Sequence, residues 1–212
     1  MADDYKIAKR AAMDGIREWL NALRNQYPSE HFYAFAIYTD GDFTAPEPAA
    51  NSVERLNDKL QRNADTNGKE RCMFKWYPGE WAHSGDGRHV VHRAWDAFDE
   101  IEEPDGPEPW DDEELEGINS QFAKRLAATV DALRQLSDEG VFGEGETRMT
   151  VFCAIMDHPE SGWVECESAK RINPPDVFER FVQEQRMAAE LCYGEDANKP
   201  GRLAKVLRRL YG

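Results

Sequence analysis

Two short runs constrain this chain more than any other feature: residues 31–38 (HFYAFAIY) and residues 149–156 (MTVFCAIM). Both are apolar almost throughout, without alternation. A strand with one wet face alternates polar and apolar residues; a run that does not is covered on both faces. Turn residues punctuate both, with Asp40-Gly41-Asp42 after the first and Gly140, Gly143 and Gly145 ahead of the second. The rest of the chain must therefore supply helices for two faces of a sheet.

Helical periodicity is present to do so. Tyr5, Ala8, Ala12, Ile16, Trp19 and Leu23 recur at three- and four-residue spacing, predicting a helix over about 4–26 that Pro28 closes. After a proline-containing loop, Asn51-Ser52-Val53-Glu54 reads as a capped helix start, with Asn51 as cap, Glu54 reaching back, and Val53, Leu56 and Leu60 inward. Residues 71–77 (RCMFKWY) read as a strand stopped by Pro78-Gly79, and Val91, Trp95, Phe98 and Ile101 again keep a helical period. Pro104, Pro107 and Pro109, with Gly106 among them, make residues 104–110 a linker or surface loop.

The strongest helix is expected over 111–137, with Leu115, Ile118, Phe122, Leu126, Val130 and Leu133 on one face. A short strand is expected at 163–167. Asn173-Pro174-Pro175-Asp176 then starts a helix that runs to about Gly194 and buries Val177, Phe178, Phe181, Val182 and Leu191. Residues 202–211 form a basic amphipathic tail. The expectation is an α+β fold, a single domain over 1–212 with one mixed β-sheet covered by amphipathic helices. FAIYTD (35–40) and CAIMDH (153–158), each ahead of an amphipathic helix, also allow an internal duplication.

Charge narrows the function classes. The 212 residues include 26 basic and 41 acidic side chains, a net charge of −15, which argues against a nucleic-acid partner. No stretch approaches the roughly 20 apolar residues of a membrane helix, and the first residues lack a basic region leading into an apolar core. Cys72, Cys153, Cys166 and Cys192 are widely spaced, as expected for buried free thiols in the cytoplasm.

The chemistry-bearing residues form no complete motif. His83, His89 and His92 fall within ten residues beside Asp86 and Asp96, and His89 and His92 share a helix face. Neither H-E-x-x-H nor paired cysteines accompany them, so the reading is a polar loop and a solvent-facing turn, with no metal and no cofactor. Gly85-Asp86-Gly87 completes no phosphate loop. Asp157-His158 follows a strand, where α/β enzymes place catalytic groups, but a polar turn explains the pair equally well. Glu165 and Glu167 would share a strand face.

The acidic run stands apart. Residues 96–116 hold twelve Asp or Glu and no Lys or Arg, and leaving them out takes the net charge from −15 to −3. Such runs are commonly solvated; the sharper reading is a docking surface for a basic partner. Asp99, Glu100, Glu102, Glu103, Asp111, Asp112, Glu113 and Glu114 would supply its charge, and Trp110 an aromatic anchor. Trp76 and Trp81, bracketing a Pro-Gly turn, are first of all core residues; a groove lined by Trp76, Tyr77, Glu80 and Trp81 is the second possibility.

Several blocks together carry a resemblance. Phe32-Tyr33-Ala34-Phe35-Ala36, Ala50-Asn51-Ser52, Lys75-Trp76-Tyr77-Pro78-Gly79-Glu80-Trp81-Ala82 and Phe152-Cys153-Ala154-Ile155 span most of residues 5–190. They resemble a bacterial family known only as a domain of unknown function, whose members recur near polymorphic-toxin and toxin–immunity gene clusters. The resemblance implies a single α/β-type domain in the bacterial cytoplasm that works by binding another protein, and it carries over no catalytic residue. The leading expectation is a non-enzymatic, immunity-type protein that occludes a basic toxin domain. The alternatives are a hydrolase or transferase using Asp157 and His158 or the His83/His89/His92 cluster, and a scaffold or regulatory subunit.

Overall fold

The computed structural model describes residues 2–40, 46–63, 69–84, 120–156 and 161–193. Among them are four strands and six α-helices: α1 (Ala2–Gln26), β1 (Phe32–Thr39), β2 (Glu47–Ser52), α2 (Val53–Asn63), α3 (Lys69–Trp76), β3 (His83–Ser84), α4 (Ser120–Asp138), β4 (Thr150–Ile155), α5 (Ser161–Ile172) and α6 (Pro175–Tyr193). The strands form one mixed sheet in the order β3-β2-β1-β4. β1 runs antiparallel to β2 and parallel to β4. This is the expected α+β fold with a single mixed sheet.

The two apolar runs are its central pair. Phe35 aligns with Val151 and Ala36 with Phe152, so neighbouring rows of side chains point to opposite faces. Phe35 meets Trp19 of α1 edge-on at 5.8 Å and Phe142 at 5.2 Å. Phe152, on the other face, stacks on Phe181 of α6 at 5.2 Å and meets Trp76 and Trp81 edge-on. Helices α1 and α4 therefore cover one face, and α3 and α6 the other. Aromatic layers on both sides explain why neither strand alternates. One continuous apolar core takes in residues from Tyr5 to Val182.

Several local expectations differ from the structure. Residues 71–77 lie largely in helix α3, and 163–167 in helix α5, rather than in strands. A short apolar run has no length in which to show its period; Val164, Ser168 and Ile172, all buried, reveal four-residue spacing once the whole of α5 is included. Glu165 and Glu167 consequently share no strand face. The proline-containing loop before α2 includes strand β2, whose sequence EPAANS lacks the β-branched and aromatic residues that mark strands. Pro48 is tolerated because it lies beyond Ala49 and Ala50, the residues that β3 pairs with.

The cap of α2 is Ser52, whose Oγ accepts the Arg55 N–H at 3.2 Å. Glu54 instead binds the backbone N–H of His31 at 2.8 Å, and Val53 is exposed. Helix α6 starts at Pro175, one residue after the expected position. The two halves also diverge, since an antiparallel strand follows β1 whereas a helix follows β4. The expected helix over 91–101, the loop at 104–110, residues 111–119 of the expected fourth helix and the tail 202–211 lie outside the described residues.

Candidate functional site

The sheet is covered on both faces, and one opening lies at strand ends. A cleft of about 810 Å³ sits where β1 and β4 begin, with Phe32 and Tyr33 from β1, Thr150 from β4 and Met149 just ahead of it. The end of α1 contributes Arg24 and Tyr27, and the turn between α4 and β4 forms a further wall. That turn is dictated locally. At the end of α4 the Gly140 N–H bonds the Ser137 carbonyl and the Val141 N–H bonds the Leu136 carbonyl, both at 3.0 Å. This pairing needs a left-handed residue, which Gly140 supplies at φ 74°. Gly143, at φ 87°, has no alternative either: a Cβ there would lie 2.7 Å from the Thr147 carbonyl oxygen.

The cleft is positive although the chain is acidic. Arg24, Arg71, Lys75, Arg148 and Arg180 line it against Glu30, Glu146 and Glu184. Two of those acids are already engaged. Glu184 pairs with Lys75 and accepts the Trp76 indole N–H at 3.1 Å. Tyr33, at the strand end, donates its hydroxyl to the Lys75 carbonyl and accepts from Asn51, both at 2.9 Å, and burial pushes its phenol pKa up.

Glu30 anchors the second feature, a buried polar network. Its Oε2 accepts the Ser52 hydroxyl at 2.7 Å and lies 2.8 Å from His83 Nε2, while its Oε1 accepts Arg55 Nε at 2.7 Å. The side chains of Glu30 and His83 are only 8% and 4% exposed. Burial alone would raise the Glu30 pKa, but hydrogen bonds from Ser52 and His83, the charge on His83 and the bond from Arg55 together hold it below the usual carboxylate range. The His83 ring packs between Tyr27 at 4.6 Å and Phe32 at 5.4 Å, and the Arg55 guanidinium lies over Tyr27. Ser52 and His83 meet at one carboxylate oxygen instead of at each other. Ser52 also caps α2. The arrangement ties the turn between α1 and β1 to β2, β3 and α2, and it lacks the serine–histidine hydrogen bond of an activated nucleophile.

Of the residues singled out from sequence, His83 is thus a buried partner of Glu30. His89, His92, Asp157, His158 and the whole run 96–116, with Asp99, Glu100, Glu102, Glu103, Trp110, Asp111, Asp112, Glu113 and Glu114, lie outside the described residues. Among the described residues, no group of three or more His, Cys, Asp or Glu could hold a metal ion. Trp76 and Trp81 are buried in the core. Trp76 lines the large cleft, whereas Glu80 and Trp81 line a separate hollow of about 500 Å³ beside α2. Cys153 and Cys166 are buried free thiols, the latter pushed up to about 12 chiefly by burial.

Sequence reasoning assigns no site role to Glu30, Ser52, Arg55, Arg24 or Arg148. Each sits at an element end, where polar residues are ordinary; only their convergence in space distinguishes them.

Residues 13–174 match a family described as a domain of unknown function (DUF4303). The chain belongs to that family. The matched span takes in all four strands and the turn at 140–148, and stops before the body of α6. No curated protein and no solved structure matches the chain. No helix among the described residues is long and apolar enough to cross a membrane.

Proposed function

We propose that this chain is a non-enzymatic binding protein of the immunity type, which occludes a basic bacterial toxin domain in the cytoplasm. The observation that carries this reading is the concentration of twelve carboxylates, with no compensating base, in residues 96–116. A local field of that sign steers a basic partner and raises its association rate. Toxins that attack nucleic acids carry basic clefts, and a run of carboxylates can occupy such a cleft in place of phosphates. The resemblance to a family found beside toxin genes points the same way. The Glu30–Ser52–His83 cluster adds support, because its groups are spent on joining elements of the fold.

The test is co-expression with the product of the neighbouring gene, scoring growth rescue and a stable complex. The quadruple replacement of Asp111, Asp112, Glu113 and Glu114 by Ser or Asn should slow association about tenfold at low salt while leaving the melting temperature nearly unchanged. The difference should shrink at physiological salt, where charges are screened over about 8 Å. Failure to rescue or bind any neighbour, or an on-rate indifferent to the quadruple change, would overturn the proposal.

A further inference from the structure

Arg148 is built into the positive cleft in an unusual way. It lines the cleft yet is 6% exposed. Its Nη2 donates to Ser137 Oγ at 2.5 Å, and Ser137 is itself fixed by donating to the Ile172 carbonyl at 2.7 Å. The guanidinium lies over the Phe142 ring, 5.5 Å from its centre. Its Nη1 is buried and has no hydrogen-bond partner among the described residues. A buried guanidinium nitrogen without an acceptor is costly, and the fold nevertheless holds this one in a defined orientation.

Among the described residues, no carboxylate is hydrogen-bonded to Arg148. Asp138 and Asp176 act on Arg148 through their charge, which offsets part of the burial that lowers its pKa. Arg24 approaches the same turn from α1 and donates Nη2 to the Val141 carbonyl at 2.9 Å. Arg180 enters from α6, exposed, on another wall. Against these stand Glu146, which is exposed, and Glu30 and Glu184, which are engaged elsewhere. A guanidinium fixed at one edge and unpartnered at the other suits a planar or tetrahedral oxyanion, to which arginine donates paired hydrogen bonds. The cleft volume of about 810 Å³ falls in the range of small-molecule sites.

We infer that the cleft at the start of β1 and β4 binds the phosphate or carboxylate group of a small organic anion, with Arg148 as its principal donor and Arg24 and Arg180 as its flanking charges. This inference does not depend on the protein-binding reading.

The experiment titrates the full chain with inorganic phosphate and, separately, with citrate, at ionic strength matched with chloride, following backbone amide resonances. Saturable shifts confined to residues 141–149 and the neighbourhood of Arg24 and Arg180 are expected with at least one anion. Tighter binding of phosphate assigns a phosphate ligand, and tighter binding of citrate a carboxylate. Arg148→Gln should weaken binding about tenfold, and Arg180→Ser, on the surface, a few-fold without disturbing the fold. If Arg148→Gln does not fold, the wild-type shift map and Arg180→Ser still decide. Shifts scattered over the surface, shifts reproduced by chloride, or affinity unchanged in Arg180→Ser and Arg148→Gln would overturn the assignment.

Discussion

Two regions bury polar groups for opposite reasons, and they do so on opposite sides of the sheet. At the β2–β3 side, Glu30 gathers Ser52, His83 and Arg55 into a network that rests on charge. At the β4 edge, a neutral clamp does a different task. Asn173 accepts the Val151 N–H at 2.9 Å and donates to the Val151 carbonyl at 2.6 Å, while Ser168 Oγ accepts the Cys153 N–H at 2.8 Å. Val151 and Cys153 are alternate residues, so their backbone groups face away from β1. Two side chains from the α5 region thus stand in for a fifth strand, closing an edge that would otherwise pair with another chain. The comparison separates two ways of satisfying buried polar atoms: one depends on ionisation, and the other only on position.

The largest expected effect breaks the charged side. Glu30→Ala leaves the Ser52 hydroxyl, the His83 ring and the Arg55 guanidinium without their shared acceptor; one orphaned buried polar group costs about 1–3 kcal/mol, so the combined loss should exceed that of any single group. Chemical denaturation should record that loss. A change under about 1 kcal/mol would mean that the network contributes little beyond its packing.

The neutral side should lose less. Asn173→Ala orphans both polar groups of Val151, and an unsatisfied buried group costs about 1–3 kcal/mol. The loss should be the same at pH 5 and pH 8, and hydrogen exchange at the Val151 amide should accelerate selectively. Uniform acceleration across β1 and β4 would instead show global unfolding and no special role for the clamp.

The two regions also explain what was legible in the sequence. The central strands were, because burial on both faces writes itself as a continuous apolar run. Helix α1 and the described part of α4 were, because Ile16, Trp19, Leu126 and Leu133 keep the helical period. Strand β2 was not: Ala49 and Ala50 are small and fully buried, so the strand carries no residue type that announces it. Neither buried polar region could be read, since Glu30 and His83 are 53 positions apart and Ser168 looks like any helix serine. His83 stands out in sequence for its proximity to His89 and His92, whereas its described partner, Glu30, comes from the turn between α1 and β1. Arg148 and Arg24 were illegible for the same reason: a basic cleft in a chain of net charge −15 contradicts the average that composition reports.

The smallest effect is the most diagnostic, because only the charged region should respond to acid. The Glu30 carboxylate is held below its ordinary pKa in the folded state, so its contribution is fully present above the unfolded value, near 4.5. It is lost as pH falls through the lower, folded value, because the unfolded chain then takes up the proton more readily. Glu54 and Glu139 are depressed as well and add to any slope in the wild type. The informative quantity is therefore the difference between wild type and Glu30→Gln, which keeps the shape and removes the titration. Between pH 6 and pH 3 the wild type should lose more stability than Glu30→Gln, while Asn173→Ala should parallel the wild type throughout. Parallel curves for all three proteins would place the acid sensitivity at the exposed carboxylates and remove the distinction between the two regions.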